Sequence, residues 1–196
     1  MLTQINTTKW LITFAEKINV QQDYLNELDN AIGDGDHGSN MVRGTEAMKE
    51  SLNEGDYSSV EKVFKAASMS LLSKIGGASG PLYGTAFISM SKQASQDNHD
   101  VIAILKAGLE GIKRRGKAQT GEKTMLDFWE PAIEILEQKN LTHEKIRVIL
   151  EQTKDIKATK GRASYLGDHS IGHIDPGSAS SSCLFEALLE GDIINE

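Results

Sequence analysis

Apolar residues recur three and four positions apart along almost the whole chain, and no run of them alternates with a period of two. A chain patterned this way folds into helices that each bury one stripe against their neighbours. Trp10, Leu11, Phe14, Ala15 and Ile18 make the first stripe, and Leu25, Leu28 and Ile32 continue it on a second helix. Met41, Met48 and Leu52 mark a third. Ser58 with Glu61 reads as a capping box that opens a helix through Val60, Val63, Phe64, Ala67, Leu71 and Ile75. The glycines from Gly76 to Gly80 break it, and Pro81 is expected to restart a helix at its first position. That helix is rich in small residues (Gly84, Thr85, Ala86, Ser89, Ser91), which suits close packing.

Val101, Ile102, Leu105, Leu109 and Ile112 follow, then a basic turn from Lys113 to Lys123. The next stripe is Met125, Phe128, Trp129, Ile133 and Leu136, with Pro131 in its first turns or at a kink. Ile146, Ile149, Leu150, Thr153 and Ile156 make another, before a long loop from Lys160 to Ile174. Asp175 and Pro176 read as the N-cap and first residue of a last helix. It carries Ala179, Cys183, Leu184, Ala187 and Leu188 and stops at Gly191. The expected fold is all-α: one domain over residues 1–196, with about eight antiparallel amphipathic helices in a bundle or barrel.

Between the second and third helices lies a turn with three carboxylates, Asp29, Asp34 and Asp36, beside His37 and the glycines Gly33, Gly35 and Gly38. A helix C-terminus disfavours anions, so acids gathered there call for a bound cation. Glycine lets the backbone turn tightly, and the following helix N-terminus points free N–H groups at a phosphate. Oxygen ligands alone suit Mg²⁺ better than zinc. Calcium fails on spacing: an EF-hand begun at Asp34 would put Thr45 where the bidentate glutamate belongs. Three carboxylates would repel a nucleotide diphosphate by about 4 kcal/mol per close pair at an effective dielectric of about 20. A bridging cation reverses that sign. A solvated acidic turn is the plain alternative.

Other polar segments fall at alternate connections: Gly76–Pro81, Arg115–Met125 and Lys160–Gly177. Connections of one parity share an end of an antiparallel bundle, so these loops and the acidic turn are expected at one rim. The connections near Asn19, Gly55 and Asp97 would close the other end. Gly76 to Gly80 could nest an anion or serve as a flexible linker. The stretch from Gly111 to Ala118 nearly matches a P-loop, but it lacks the final Ser/Thr and follows a helix. Arg114, Arg115 and Lys117 fit a helix C-terminus. A zinc site from His169, His173 and Asp175 lacks helical ligand spacing. Arg162 is either a surface charge or a phosphoryl clamp.

With 196 residues there is room for a substantial core, and the formal net charge of −7 argues against a nucleic-acid partner. Cys183 is the only cysteine, so no intrachain disulfide forms. No apolar run approaches the roughly 20 residues of a membrane span, and the N-terminus lacks a signal pattern. The expectation is a soluble cytoplasmic protein with no membrane partner.

Four stretches, in order and covering nearly the whole chain, resemble the nucleotide-binding subunits of the dihydroxyacetone kinases. They are Leu28-Asp29 with Ile32-Gly-Asp-Gly-Asp-His-Gly-Ser-Asn40-Met, then Gly76-Gly-Ala-Ser-Gly-Pro81-Leu-Tyr-Gly84. Gly121-Glu-Lys-Thr-Met125-Leu-Asp and Lys160-Gly-Arg-Ala-Ser-Tyr-Leu-Gly167 with Asp175-Pro-Gly177 complete them. The resemblance implies a barrel of eight helices holding ADP and two Mg²⁺ at one rim. It implies that Asp29, Asp34 and Asp36 coordinate the metal, and that His37, Gly38, Ser39 and Asn40 hold phosphates. Ala78 and Ser79 would add phosphate contacts, and Gly116 and Met125 would line the nucleoside pocket. Arg162 would reach the phosphoryl group in flight, while Asp175, Pro176 and Gly177 close over the nucleotide.

ATP-dependent members fuse such a domain to one that holds dihydroxyacetone on a histidine; no such domain is expected here. The resemblance therefore favours the phosphotransferase-system branch, with ADP as a resident cofactor. Its partners would be a phosphohistidine-carrying subunit and a dihydroxyacetone-binding kinase subunit. The alternatives are an ATP-exchanging kinase domain, including the fatty-acid kinase type, a non-catalytic nucleotide-sensing regulatory subunit, and a helical zinc hydrolase.

Overall fold

The computed structural model describes residues 1–96, 100–191 and 193–194, and among them every regular element is helical. Nine α-helices follow in order among these residues: α1 Gln4–Val20, α2 Gln22–Ile32, α3 His37–Glu54, α4 Val60–Lys74 and α5 Ser79–Ala94. Then come α6 Val101–Gly116, α7 Leu126–Glu137, α8 His143–Gln152 and α9 Pro176–Glu190. Short 3-10 stretches cover Thr153–Asp155 and Arg162–Ser170.

The expected polar turn near Asn19 lies at Gln21, but it bends the chain without reversing it. Gln21 closes α1 with its N–H on Lys17 O at 3.0 Å and opens α2 with its carbonyl, which accepts the Leu25 N–H at 2.9 Å. Four contacts show α1 and α2 running as one bent rod antiparallel to α3. Glu16 pairs with Lys49 at 3.1 Å, and Asn19 donates to Glu46 at 3.4 Å. Asn26 donates to the Ser39 hydroxyl at 3.0 Å, and the Asp36 N–H donates to Asp29 at 2.9 Å. With that rod counted once, the expected eight helices are recovered. Neighbours pack in chain order from α3 to α7, and α9 lies against α1, α7 and α8 to close the ring. Gly55 caps α3 at the far end, as expected; the turn expected near Asp97 lies outside the described residues.

The core is continuous and apolar. Trp10 meets Phe64 edge-on with centroids 6.0 Å apart, and Phe185 receives both Phe128 and Trp129 at 5.3 Å. Trp10 also donates its indole N–H to Leu184 O at 2.8 Å, tying α1 to α9. The small residues of α5 act as expected. A Cβ at Gly84 would press on Leu72, and the buried Ser68 hydroxyl of α4 donates to Gly84 O at 2.7 Å.

Several helix ends differ from the sequence reading by a residue or more. The N-cap of α4 is Ser59, whose hydroxyl accepts the Lys62 N–H at 3.3 Å, and not Ser58, which accepts only from the Lys62 side chain. Ser59→Ala is therefore expected to cost about 1 kcal/mol in urea unfolding and Ser58→Ala close to nothing. Pro81 stands third in α5, after Ser79 and Gly80, where its missing N–H has no partner to lose. Helix α6 runs to Gly116, so Lys113, Arg114 and Arg115 form its last turn. Pro131 sits inside α7, past its first turn. Thr153 and Ile156 lie beyond the end of α8, and the segment after Lys160 is a 3-10 stretch bent at Gly167.

Candidate functional site

Because the rods alternate in direction, the N-termini of α3, α5, α7 and α9 all open on the same rim. Four connections meet there around a cavity of about 610 Å³: the acidic turn, the glycine turn before α5, the segment between α6 and α7, and the segment before α9. Each is a segment expected at that rim from loop parity. A volume of this size suits a small-molecule ligand.

One end of the cavity is acidic. Asp29, Asp34 and Asp36 place one carboxylate oxygen each within 4.8 Å of one another. They are the one such three-residue cluster among the described residues, so His169 and His173 do not build the zinc site weighed above. Asp29 is held by its Oδ2, which accepts the N–H groups of Asp36 at 2.9 Å and His37 at 3.2 Å. Its Oδ1 remains beside Gly33, where any Cβ would overlap it. Gly35 turns the chain at φ 76°, a conformation that suits glycine. Three oxygens converging this closely fit a hard cation such as Mg²⁺. Arg162 faces them across the mouth, with Nη2 2.9 Å from Asp34 Oδ2.

Helix N-termini stand behind the acids. His37 opens α3 and is buried, with Nε2 2.9 Å from Ser180 Oγ and Nδ1 3.2 Å from Ser79 Oγ. Burial holds its pKa below the usual histidine value, against the opposing pull of Asp29 and Asp36. Asn40, Ala78 and Ser79 also line the cavity. Gly38 and Ser39 do not. Gly38 is wedged against the Gln22 carbonyl, and Ser39 exchanges two 3.0 Å hydrogen bonds with Asn26. The Cα of Gly38 and the side chain of Ser39 face α2, because the first turn of α3 leans on that rod. The cavity is also lined by the apolar Leu82, Ile112, Ala118 and Met125, by Gly116, and by the cations Arg115 and Lys160. Pro176 and Gly177 complete the wall at the start of α9.

Asp175 is a cap as much as a lining residue. Its Oδ2 accepts the Ser178 N–H at 2.6 Å, and its own N–H donates to Thr153 Oγ1 at 3.1 Å. Burial raises its carboxyl to about 6. An unfolded aspartate titrates near 3.9. The folded chain therefore binds this proton more tightly, and its stability contribution is lost as pH rises from about 4 to about 6. Asparagine caps equally well without ionising. In ligand-free protein, Asp175→Asn should gain roughly 2 kcal/mol on the parent between pH 4 and pH 7 in chemical denaturation. A gap that stays flat with pH would contradict this.

Lys123 and Asp127, within the Gly121–Asp127 stretch, carry no expected role from the sequence. Lys123 is 2% exposed, lines the cavity, and donates to the carbonyls of Thr153 at 2.7 Å and Ile156 at 3.1 Å. Burial lowers its pKa, while Asp175 and Asp127 oppose that. Asp127 accepts the N–H groups of Gly121 at 2.5 Å and Thr124 at 2.7 Å, which folds the loop entering α7. A signal for Asp127 was present, since Thr124-x-x-Asp127 has capping-box spacing.

The model of the DAK2 domain matches residues 31–190. The chain is 50% identical to the ADP-binding subunit of PEP-dependent dihydroxyacetone kinase 1 of Listeria innocua, covering 94% of this chain and 95% of that one. It is also 50% identical to the ADP-binding subunit of the PTS-dependent dihydroxyacetone kinase of Lactococcus lactis, over 97% and 98%. The native crystal structure of the dihydroxyacetone kinase of C. freundii shares the fold with a TM-score of 0.77 at 23% identity. The match covers 94% of this chain and 34% of that longer one. Matched along most of its length by that model and at half its residues by full-length relatives, the chain belongs to the DAK2 domain family.

Proposed function

We propose that this chain is the ADP-binding subunit of a phosphoenolpyruvate-dependent dihydroxyacetone kinase system. One observation carries the reading: four sequence-distant loops converge on a cavity lined by three clustered carboxylates, by the starts of α3, α5 and α9, and by apolar side chains. Phosphates belong beside the carboxylates and a nucleoside against the apolar side chains. Relatives matched along nearly their whole length bear subunit names, which favours this reading over an ATP-exchanging kinase.

Asp29, Asp34 and Asp36 would hold two Mg²⁺. When bound, Mg-ADP supplies a phosphate that accepts a phosphoryl group from a phosphohistidine and yields it to dihydroxyacetone. The protein's own share is positioning and charge. Asn40, Ala78 and Ser79 face the phosphate region, and His37 orients Ser79 from behind. Gly116 and Met125 border the nucleoside region, with Asp175, Pro176 and Gly177 closing it. Arg162 shields negative charge at the mouth, where a transferring group would pass, and is the catalytic candidate. Two partners follow from this chemistry: a phosphohistidine-carrying phosphotransferase subunit and a subunit that binds dihydroxyacetone. Such a system works in the cytoplasm.

Reconstitution tests it. With phosphorylated donor, the sugar-binding subunit and this chain in trace amount, dihydroxyacetone phosphate should form without added ATP. A nucleotide sensor would leave dihydroxyacetone unchanged, and an ATP-exchanging kinase would need ATP in proportion to product.

A further inference from the structure

A string of polar side chains runs inward from the cavity wall to the centre of the barrel. Ser79 Oγ lies 3.2 Å from His37 Nδ1, and Ser180 Oγ lies 2.9 Å from His37 Nε2. Tyr83 OH is 2.8 Å from Ser180 Oγ and 3.0 Å from Ser181 Oγ. Trp129 Nε1 ends the string 2.9 Å from Ser181 Oγ. All but Ser79 are buried, and they come from α3, α5, α7 and α9.

Counting donors gives the string a direction. An indole N–H only donates, so Ser181 Oγ accepts from Trp129. Of its two partners only Tyr83 OH can accept the Ser181 hydrogen, which gives that bond its direction. Burial pushes the Tyr83 phenol's pKa up, so it keeps its proton and passes it toward Ser180. Ser180 has two acceptors for its hydrogen, Gly177 O at 3.1 Å and His37 Nε2, and the imidazole's own proton has the Pro176 carbonyl as a further acceptor that an anion must outcompete. If Gly177 receives it, His37 carries its proton on Nε2. Nδ1 then accepts from Ser79, whose lone pairs alone face the cavity. If His37 Nε2 receives it, the imidazole proton sits on Nδ1 and donates to Ser79. The Ser79 hydrogen is then free to point into the cavity. A phosphate oxygen at neutral pH is an acceptor, so it selects the second arrangement.

We infer that Trp129, Ser181, Tyr83, Ser180 and His37 form a one-way hydrogen-bond chain that makes Ser79 a donor to an anion in the cavity. The anion selects the Nδ1–H tautomer of His37. Trp129, Ser181, Tyr83 and Ser180 are thus positioning residues, acting through His37 on a contact they do not touch. Naming the anion as an ADP phosphate rests on the function proposed above.

Nitrogen NMR of the imidazole ring tests this on the intact, ¹⁵N-labelled chain with and without Mg-ADP. The expected result with Mg-ADP is a protonated Nδ1 and a bare Nε2 on His37. Binding with Nε2–H retained overturns the chain and leaves the nucleotide reading standing. Failure to bind Mg-ADP overturns both. A thermodynamic cycle gives a second readout. Tyr83→Phe keeps the ring and breaks the chain, and should weaken Mg-ADP binding about fivefold to tenfold. In a Ser79→Ala background the same substitution should have no further effect. Independent, multiplying losses would overturn the inference.

Discussion

Asp34→Asn is expected to strip the protein of nucleotide, not merely to slow its turnover. Three carboxylate oxygens within 4.8 Å of one another face the space in front of α3 and α5. Without a cation, that corner repels any phosphate placed beside it. Asparagine keeps the shape of Asp34 and removes both a ligand charge and the partner of Arg162. One lost charge interaction of about 4 kcal/mol at an effective dielectric of about 20 corresponds to roughly a thousandfold in affinity. Equilibrium dialysis against labelled ADP in excess Mg²⁺ reads this directly. The fold should not suffer, because Asp34 is exposed and a surface ion pair contributes at most about 1 kcal/mol. Parent-like affinity for ADP in the variant would remove Asp34 from the metal site.

The second large effect is expected at Gly38, through packing instead of contact with ligand. Its missing Cβ leaves room for the Gln22 carbonyl oxygen, a backbone atom that cannot swing aside as a side chain does. Gly38→Ala must push the first turn of α3 away from α2, at a cost of about 2–3 kcal/mol. For a chain of this size that lowers Tm by roughly 5–10 °C. The same shift draws the Asp36 and His37 N–H groups away from Asp29, so nucleotide affinity should fall as well. Calorimetry and dialysis on one preparation check both. An unchanged Tm would show that the α2–α3 contact is looser than its geometry implies.

These two residues also show what the sequence did and did not reveal. The acidic turn was legible because oxygen ligands and glycines at a helix junction have few other uses. The meeting of four loops follows from the alternation of helix direction, which needs the helices from α3 onward to be counted correctly but not their exact ends. Gly38 and Ser39 are expected at the phosphates only through the resemblance, as part of the run from His37 to Asn40 that opens α3. Helical geometry separates them: successive residues point about 100° apart, and these two fall on the α2 side. The joint at Gln21 is expected to reverse the chain because its neighbours are polar, yet an exposed bend in a rod is polar too. Ser58 and Ser59 are interchangeable in composition, and only backbone geometry chooses the cap.

Lys123 illustrates a different limit. Lysine belongs at the surface by composition, and its burial depends on carbonyls 30 and 33 positions further along the chain. The His37–Ser180 contact joins residues 143 positions apart, and no local pattern encodes it. Side chains satisfied only by distant partners become visible when the barrel closes. The acids, the glycines and the helix caps act locally, and so they were readable first.

The central claim is that metal ions reconcile the acidic corner with a diphosphate in one cavity. The most direct measurement is the ADP and magnesium content of the protein as purified, before and after dialysis against EDTA. Co-purifying ADP and magnesium that leave together on chelation are the expected result. ADP that stays bound after the metal is gone, or protein that binds neither when both are supplied, would contradict it.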